Sequence, residues 1–224
     1  KDGRLDVAVV NRDSDTLSVL TGLGKGQFGV AVDYKTGRGP SGVATGDFNN
    51  DGHIDLVTAN LFSANVSVLI AGSKGGFSNS VEFETGRGPF SVVATDFNGD
   101  GNLDLATANT AAASVSVLIG DGRGRFSLPQ QITAGETPAV ITAGDFNKDG
   151  NTDLAVVNFG SATVSVFAGE GKGRFAPAIH FGAAAAPRAL VAGDFNSDGY
   201  LDLAVANRDS DNVSILTNDS LARK

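Results

Sequence analysis

Cysteine, methionine and tryptophan are absent, and histidine and tyrosine occur twice each. Without cysteine, neither disulfides nor thiolate metal sites can form, and two histidines supply no cluster for a softer metal. Long apolar runs are also missing, since Asp, Asn or Gly interrupts every candidate well short of the roughly 20 residues a membrane helix needs. Basic residues are in the minority, 17 against 25 acidic ones, for a formal charge of −8. A nucleic-acid partner calls for a basic face and is not expected here. No sustained helical period is present either, which leaves strands and turns as the building material.

What the chain has is a period. Asp47-Phe48-Asn49-Asn50-Asp51-Gly52-His53-Ile54-Asp55 returns as 96–104, 145–153 and 194–202, each time 49 residues on. Each copy carries oxygen-bearing side chains at its first, third, fifth and ninth positions and glycine at the sixth, where a tight turn lets them converge. Hard oxygen donors in this spacing suit Ca²⁺. The chain opens on half of a fifth copy, Asp2-Gly3 and Asp6, which lacks the first two donors. Its first residue falls inside a repeat and reads as the trimmed part of a unit. Fourteen of the 25 acidic residues belong to these loops, so the acidity is ligand supply rather than a general surface property. An EF-hand is excluded, because the twelfth position holds Thr58, Thr107, Val156 or Val205 and strands flank the loop.

Four other features keep the same period: Asn at 11, 60, 109, 158 and 207; Ser at 18, 67, 116, 165 and 214; Phe at 28, 77, 126 and 175; and Pro at 40, 89, 138 and 187. Within one unit the pattern predicts strands over Gly42–Phe48, Ile54–Ala59, Val66–Ala71 and Phe77–Glu84. Second strands such as Leu154-Ala-Val-Val157 are apolar at consecutive positions, as strands covered on both faces are. Fourth strands such as Val81-Glu-Phe-Glu84 alternate and belong near solvent. Four short antiparallel strands per unit of this length describe a β-propeller blade, whereas β-helix coils are much shorter. The expected fold is all-β, one propeller domain over 1–224. It comprises a partial blade at 1–37, full blades at 38–86, 87–135 and 136–184, and a partial blade at 185–224. The partial units cannot merge, since each holds a second and a third strand.

The pattern resembles the FG-GAP or VCBS-type repeat of integrin α-subunit propellers and bacterial surface proteins. The resemblance rests on the Asp-Phe-Asn-x-Asp-Gly-x-x-Asp loop, on the Gly-x-Gly-x-Phe turn (Gly120, Gly122, Gly124, Phe126; Gly169, Gly171, Gly173, Phe175), and on the Gly-Pro or Ala-Pro pair opening each blade. It implies calcium ligands at Asp47, Asn49, Asp51 and Asp55 with the carbonyl of His53; at Asp96, Asn98, Asp100 and Asp104 with Asn102; at Asp145, Asn147, Asp149 and Asp153 with Asn151; and at Asp194, Asn196, Asp198 and Asp202 with Tyr200. It further implies about four Ca²⁺ ions, an extracellular or cell-surface location, and a protein or glycan ligand. Family members are typically seven-bladed, which leaves ring closure open, including closure by a homo-oligomer through the incomplete blades.

Phenylalanines at the locked positions, including Phe48, Phe97, Phe146 and Phe195, are expected to pack blade against blade. Lys25, Lys74, Arg123 and Lys172, joined by Arg125 and Arg174, are expected as solvated turn charges. His53 and His180 lie in different parts of their repeats and form no catalytic pair. Asp13, Asp15, Glu136, Asp209 and Asp211 are acidic residues left free in blade-top loops, where an acid–base pair would have to sit, and the expectation is a non-catalytic binding or adhesion scaffold. A lectin with sites between blades and a propeller lyase or hydrolase are the alternatives. Asn65-Val-Ser, Asn212-Val-Ser and Asn218-Asp-Ser match glycosylation acceptors, a pattern that an Asn- and Ser-rich chain produces by chance.

Overall fold

The computed structural model describes residues 3–73 and 75–218, so Asp2, Lys74 and the Asp219 and Ser220 of the last acceptor triplet lie outside the described residues. The fold is all-β. The first blade holds β1 (Val7–Asn11), β2 (Thr16–Leu20) and β5 (Val32–Lys35), with β3 (Gly22–Gly24) and β4 (Gln27–Phe28) paired in its glycine turn. Three four-stranded blades follow. They are β6 (Pro40–Gly46), β7 (Asp55–Asn60), β8 (Asn65–Leu69) and β9 (Val81–Glu84); β10 (Pro89–Thr95), β11 (Asp104–Asn109), β12 (Ser114–Leu118) and β13 (Gln130–Thr133); and β14 (Pro138–Gly144), β15 (Asp153–Asn158), β16 (Thr163–Phe167) and β17 (Ile179–Gly182). The last blade holds β18 (Pro187–Gly193), β19 (Asp202–Asn207) and β20 (Asn212–Leu216). All neighbours run antiparallel, as consecutive strands joined by short turns do. Among the described residues the first blade has no innermost strand and the last no outermost one.

The second strands are buried along their whole length in the three complete blades, as their unbroken apolar runs require. The fourth strands are mostly exposed. They are also shorter than the sequence predicts, because Phe77 only bridges Ala71 to close the glycine turn and Ser78 turns its hydroxyl onto the Ile70 amide. Pairing resumes at Val81. First strands begin at the proline and stop two residues before the loop phenylalanine.

Cores form between blades rather than within them. Phe48, Val57, Val66 and Val68 of the second blade meet Val92, Leu105 and Leu118 of the third. One repeat later, Phe97, Ala106, Val115 and Val117 meet Ile141, Leu154 and Phe167. Phe48 stacks edge-on against Phe126 at 5.7 Å between ring centroids, and Phe97 against Phe175 at 5.5 Å. The packing role expected of the locked phenylalanines therefore holds where a following blade is present. Phe195, whose next blade is absent from the described residues, is half exposed.

The recurring Asn and Ser, seven residues apart, form a polar rung in each blade, fully buried in the three complete ones. Asn109 donates to Ser114 Oγ at 3.1 Å and Ser116 Oγ at 2.8 Å, while its Oδ1 accepts from Thr107 at 2.8 Å. Asn60 and Asn158 repeat the donation to Ser67 and Ser165. Removing such a side chain strands several buried hydroxyls. Asn109→Ala should therefore destabilise the chain by about 2–4 kcal/mol in urea unfolding, and the half-buried Asn11→Ala by less.

Candidate metal centre

Each acidic loop runs from the end of a blade's first strand to the start of its second. Glycine at the sixth position is held at φ +83 to +87° in all four loops, the left-handed region where a side chain is strained. The fourth position is left-handed as well, at Asn50, Gly99, Lys148 and Ser197. These two turns fold the backbone so that amides point inward at the carboxylates. Asp47 Oδ2 accepts from Gly52 N at 2.7 Å and its Oδ1 from Asp51 N at 3.1 Å. Asp51 Oδ1 accepts from His53 N at 2.8 Å, and Asn49 Nδ2 donates to Asp51 Oδ2 at 2.9 Å. The contacts from the fifth-position carboxylate to the seventh-position amide recur at 2.8 Å for Asp100, Asp149 and Asp198 with Asn102, Asn151 and Tyr200.

The ninth position is different. Asp104 is fully buried; its Oδ2 accepts from Phe97 N at 2.9 Å and its Oδ1 from Gly120 N at 2.8 Å. Asp55, Asp153 and Asp202 hold the matching pairs of amides, Phe48 and Ala71, Phe146 and Gly169, Phe195 and Asn218. This carboxylate clamps the loop to the end of the third strand. Asp6 keeps the same bond to Gly22 N in the first blade.

Burial raises Asp55, Asp104 and Asp153 above the ordinary carboxylate range, despite the backbone donors that lower them. Neighbouring carboxylates push the same way: Asp51 and Asp47 on Asp55, Asp100 and Asp96 on Asp104, Asp149 on Asp153. Exposed Asp100 and Asp149 are instead lowered by the amides of Asn102 and Asn151. Among the described residues, no lysine or arginine pairs with Asp96, Asp100 and Asp104 or with Asp145, Asp149 and Asp153. In the loop Asp96 to Asp104, which holds no cation of its own, negative charge is thus concentrated with backbone and side-chain amides to offset it.

The donor set fits a hard dication, being all oxygen and carrying three carboxylates per loop. The residues that would hold it are the twenty named from the sequence. Among the described residues, no three acidic or histidine side chains already converge as a cage, since the first and fifth carboxylates are drawn onto the loop's own amides. A bound ion would supply the positive charge the loop lacks.

The loops also touch the next blade. Phe48 O accepts from Gly124 N at 2.8 Å, and Phe97 O from Gly173 N at 3.1 Å. Asn50 Nδ2 reaches Asn102 Oδ1 in the neighbouring loop at 2.7 Å, and Lys148 Nζ sits 4.1 Å from the centre of the Tyr200 ring. The loops therefore stand at the junctions between blades as well as within them.

The sequence alone did not reveal the ninth-position clamp, the Asn–Ser rungs, or a set of stacked arginines. Arg12 lies over Phe62 and Phe90, while Arg188 and Arg208 both lie over Phe159. Their signal in the sequence was slight, a shared Asn-Arg-Asp-Ser-Asp at 11–15 and 207–211. Two acidic residues left over by the sequence have partners: Asp15 accepts from Gly39 N, and Asp209 pairs with Arg208 at 2.6 Å. His180 bonds Ser165 at 3.0 Å and sits at the rim of an apolar crevice of about 380 Å³ lined also by Phe167, Phe175 and Ile132. No carboxylate lines that crevice to serve with it as an acid–base pair. The described turn cations Lys25, Arg123, Arg125, Lys172 and Arg174 are exposed.

The description FG-GAP-like repeat matches residues 1–58, 47–107, 96–156 and 145–205. The chain belongs to the FG-GAP-like repeat family. No curated protein sequence matches it. Among solved structures, virginiamycin B lyase from Staphylococcus aureus, with quinupristin, aligns with a TM-score of 0.65 at 14% identity, over 96% of this chain and 64% of that one. BBS1N in complex with ARL6DN aligns with a TM-score of 0.63 at 13% identity, over 92% of this chain and 59% of that one. A Lactobacillus plantarum protein aligns at 0.62 and 17%, over 96% and 68%. At such identities the likeness shows the propeller fold alone. This FG-GAP-like chain spans 59–68% of the length of these propellers.

Proposed function

We propose that this FG-GAP-like propeller is a calcium-stabilised, non-catalytic binding scaffold that works outside the cell or at its surface. One observation carries the calcium part: four loops, each carrying three carboxylates within nine residues, stand where blades join. Calcium there holds the inner hairpins and, through the carbonyls of Phe48 and Phe97, the blade junctions. Extracellular calcium modules bind with dissociation constants of about 10⁻⁴ to 10⁻³ M, matched to a compartment where the ion is abundant. Asp145→Ala removes the first donor of the third loop, and calcium stoichiometry by equilibrium dialysis should fall from about four to about three. Unchanged stoichiometry would remove that loop from the calcium set.

The binding part rests on the stacked arginines. Arg12, Arg188 and Arg208 hold guanidiniums over aromatic rings, and Phe62 is exposed at 60%. Arginine and aromatic side chains held this way are the residue types that anchor protein interfaces. Replacing Arg12 or Arg208 with Ala should weaken capture of a protein ligand while leaving the thermal transition unchanged within about 1 kcal/mol. Glycan-array binding abolished by EDTA and untouched by these changes would favour a lectin instead.

A further inference from the structure

Among the four acidic loops the second departs from the rest at one position. The residue after the third-position asparagine is Asn50, Lys148 or Ser197 in the others and Gly99 here, which makes Asn98-Gly99 the one Asn-Gly pair in the chain. Neither space nor the turn demands this glycine. A Cβ built on Gly99 meets nothing within 4 Å, and Asn50, Lys148 and Ser197 hold the same left-handed turn at φ 57°, 60° and 62°, against 76° at Gly99. What the glycine changes is the reactivity of the residue before it. With no side chain in the way, the Gly99 nitrogen can swing onto the Asn98 carboxamide carbon and close a five-membered ring, an approach that a β-carbon obstructs.

In the folded loop that approach is barred by hydrogen bonds rather than by burial. Gly99 is exposed, and its N–H donates to Asp96 Oδ1 at 2.7 Å. The Asn98 carboxamide is turned past Gly99 to Asp100, donating to its Oδ2 at 3.0 Å and accepting from its backbone amide at 2.8 Å. Nucleophile and electrophile are thus tied to different aspartates, and both ties must break before the two can meet. The loop lies at the surface, so water is at hand once they do.

We propose that Asn98 is a deamidation site gated by the opening of the second loop. The Gly99 nitrogen gives its proton to solvent and attacks Asn98 Cγ. A new C–N bond forms, the carboxamide C–N bond breaks, and the departing nitrogen takes up a proton and leaves as ammonia, giving a succinimide. One water molecule then opens the ring. Hydrolysis at Cγ yields aspartate in an unaltered backbone; hydrolysis at the Asn98 main-chain carbonyl yields isoaspartate, with an extra methylene in the main chain. Either product alters the third oxygen donor of this loop alone. The first adds a carboxylate to Asp96, Asp100 and Asp104, and the second displaces the side chain. The adjoining Asp100-Gly101 pair offers a carboxylate, a far poorer electrophile than a neutral carboxamide. The modification itself stands apart from the calcium reading, and only the expectation that calcium slows it, by holding the loop closed, rests on that reading.

The test incubates chelator-treated chain of intact β-sheet spectrum at mildly alkaline pH and follows each asparagine by peptide mass spectrometry, with isoaspartate counted by enzymatic methyl transfer. Asn98 is expected to convert ahead of its counterparts Asn49, Asn147 and Asn196, and in urea ahead of every other asparagine. In the folded chain its conversion should be at least about tenfold slower than in urea, because the loop must first lose three hydrogen bonds. Gly99→Asn, which copies the first loop, should keep the thermal transition and slow Asn98 to the rate of those counterparts. Conversion of a counterpart before Asn98, equal rates in folded chain and in urea, or a rate undiminished by Gly99→Asn would each overturn the proposal. Millimolar calcium should slow the folded reaction further. A rate unmoved by calcium, with Asn98 still ahead of its counterparts and still slower than in urea, would count against calcium at this loop and in favour of the site.

Discussion

Asp104→Ala should be the most damaging single change to a loop residue, destabilising the chain by about 2–6 kcal/mol, because two buried amides lose their acceptor and each unpaired buried donor costs about 1–3 kcal/mol. The amides belong to Phe97 and Gly120, so the change frees both the loop and the turn after the third strand. Asp100→Ala, four residues earlier in an exposed position, should cost less in metal-free protein. The pair separates clamp from ligand. If the clamp is correct, the order of destabilisation in EDTA is Asp104 far above Asp100. If the loop matters only as a metal site, both variants should match the unaltered chain once calcium is removed. Urea unfolding followed by circular dichroism reads the difference, and the slope of the transition shows whether a variant still unfolds as one unit.

Calcium itself should produce the second large effect. A ligand that binds only the folded state stabilises it by mass action, about 1.4–2.7 kcal/mol per site at 10 to 100 times the dissociation constant. Four independent sites would together add about 6–11 kcal/mol, which for a domain of this size raises the melting temperature by at least about 10 °C. The shift should grow with calcium concentration and vanish with EDTA. Magnesium, which demands a tighter octahedral shell and sheds water reluctantly, should produce much less. A melting temperature equal in calcium and in EDTA would leave the loops held by their own hydrogen bonds alone.

Much of the fold could be read from the chain because the repeat has no insertions. A fixed 49-residue spacing aligns every strand, turn and loop with its copies, so consecutive apolar positions such as Leu154 to Val157 can be assigned to a buried second strand on four parallel instances. Strand ends were less legible. Phe77 carries a strand-like residue, but its role is set by a single bridge to Ala71 across a glycine turn, a contact that local pattern does not encode. The candidate site was legible as a list of oxygen donors and not as a division of labour. Position nine reads in sequence as a donor like the others, and its second role as a clamp does not show there. Its burial and its bond to Gly120, sixteen residues on, come from the third strand returning beside the loop. The Asn–Ser rungs were visible as a spacing of seven, but their meaning depends on the hairpin register that sets Asn109 opposite Ser114 and diagonal to Ser116, within reach of both hydroxyls.

The blade junctions explain why the loops matter to the whole molecule. An interior blade buries its apolar faces against its two neighbours, with contacts such as Phe48 on Phe126 and Phe97 on Phe175. The loop carbonyl that accepts from the following glycine turn belongs to the residue between two of the loop's oxygen donors. Fixing the loop therefore braces the junction between neighbours, and the stacked arginines cross the same kind of boundary, Arg12 to Phe62 and Phe90, Arg188 and Arg208 to Phe159.

The account stands most directly on calcium titration by isothermal calorimetry, performed on chelator-treated protein whose β-sheet spectrum is intact. Binding of about four ions per chain with dissociation constants of about 10⁻⁴ to 10⁻³ M is the predicted result. No heat of binding up to millimolar calcium, with the fold preserved, would contradict it.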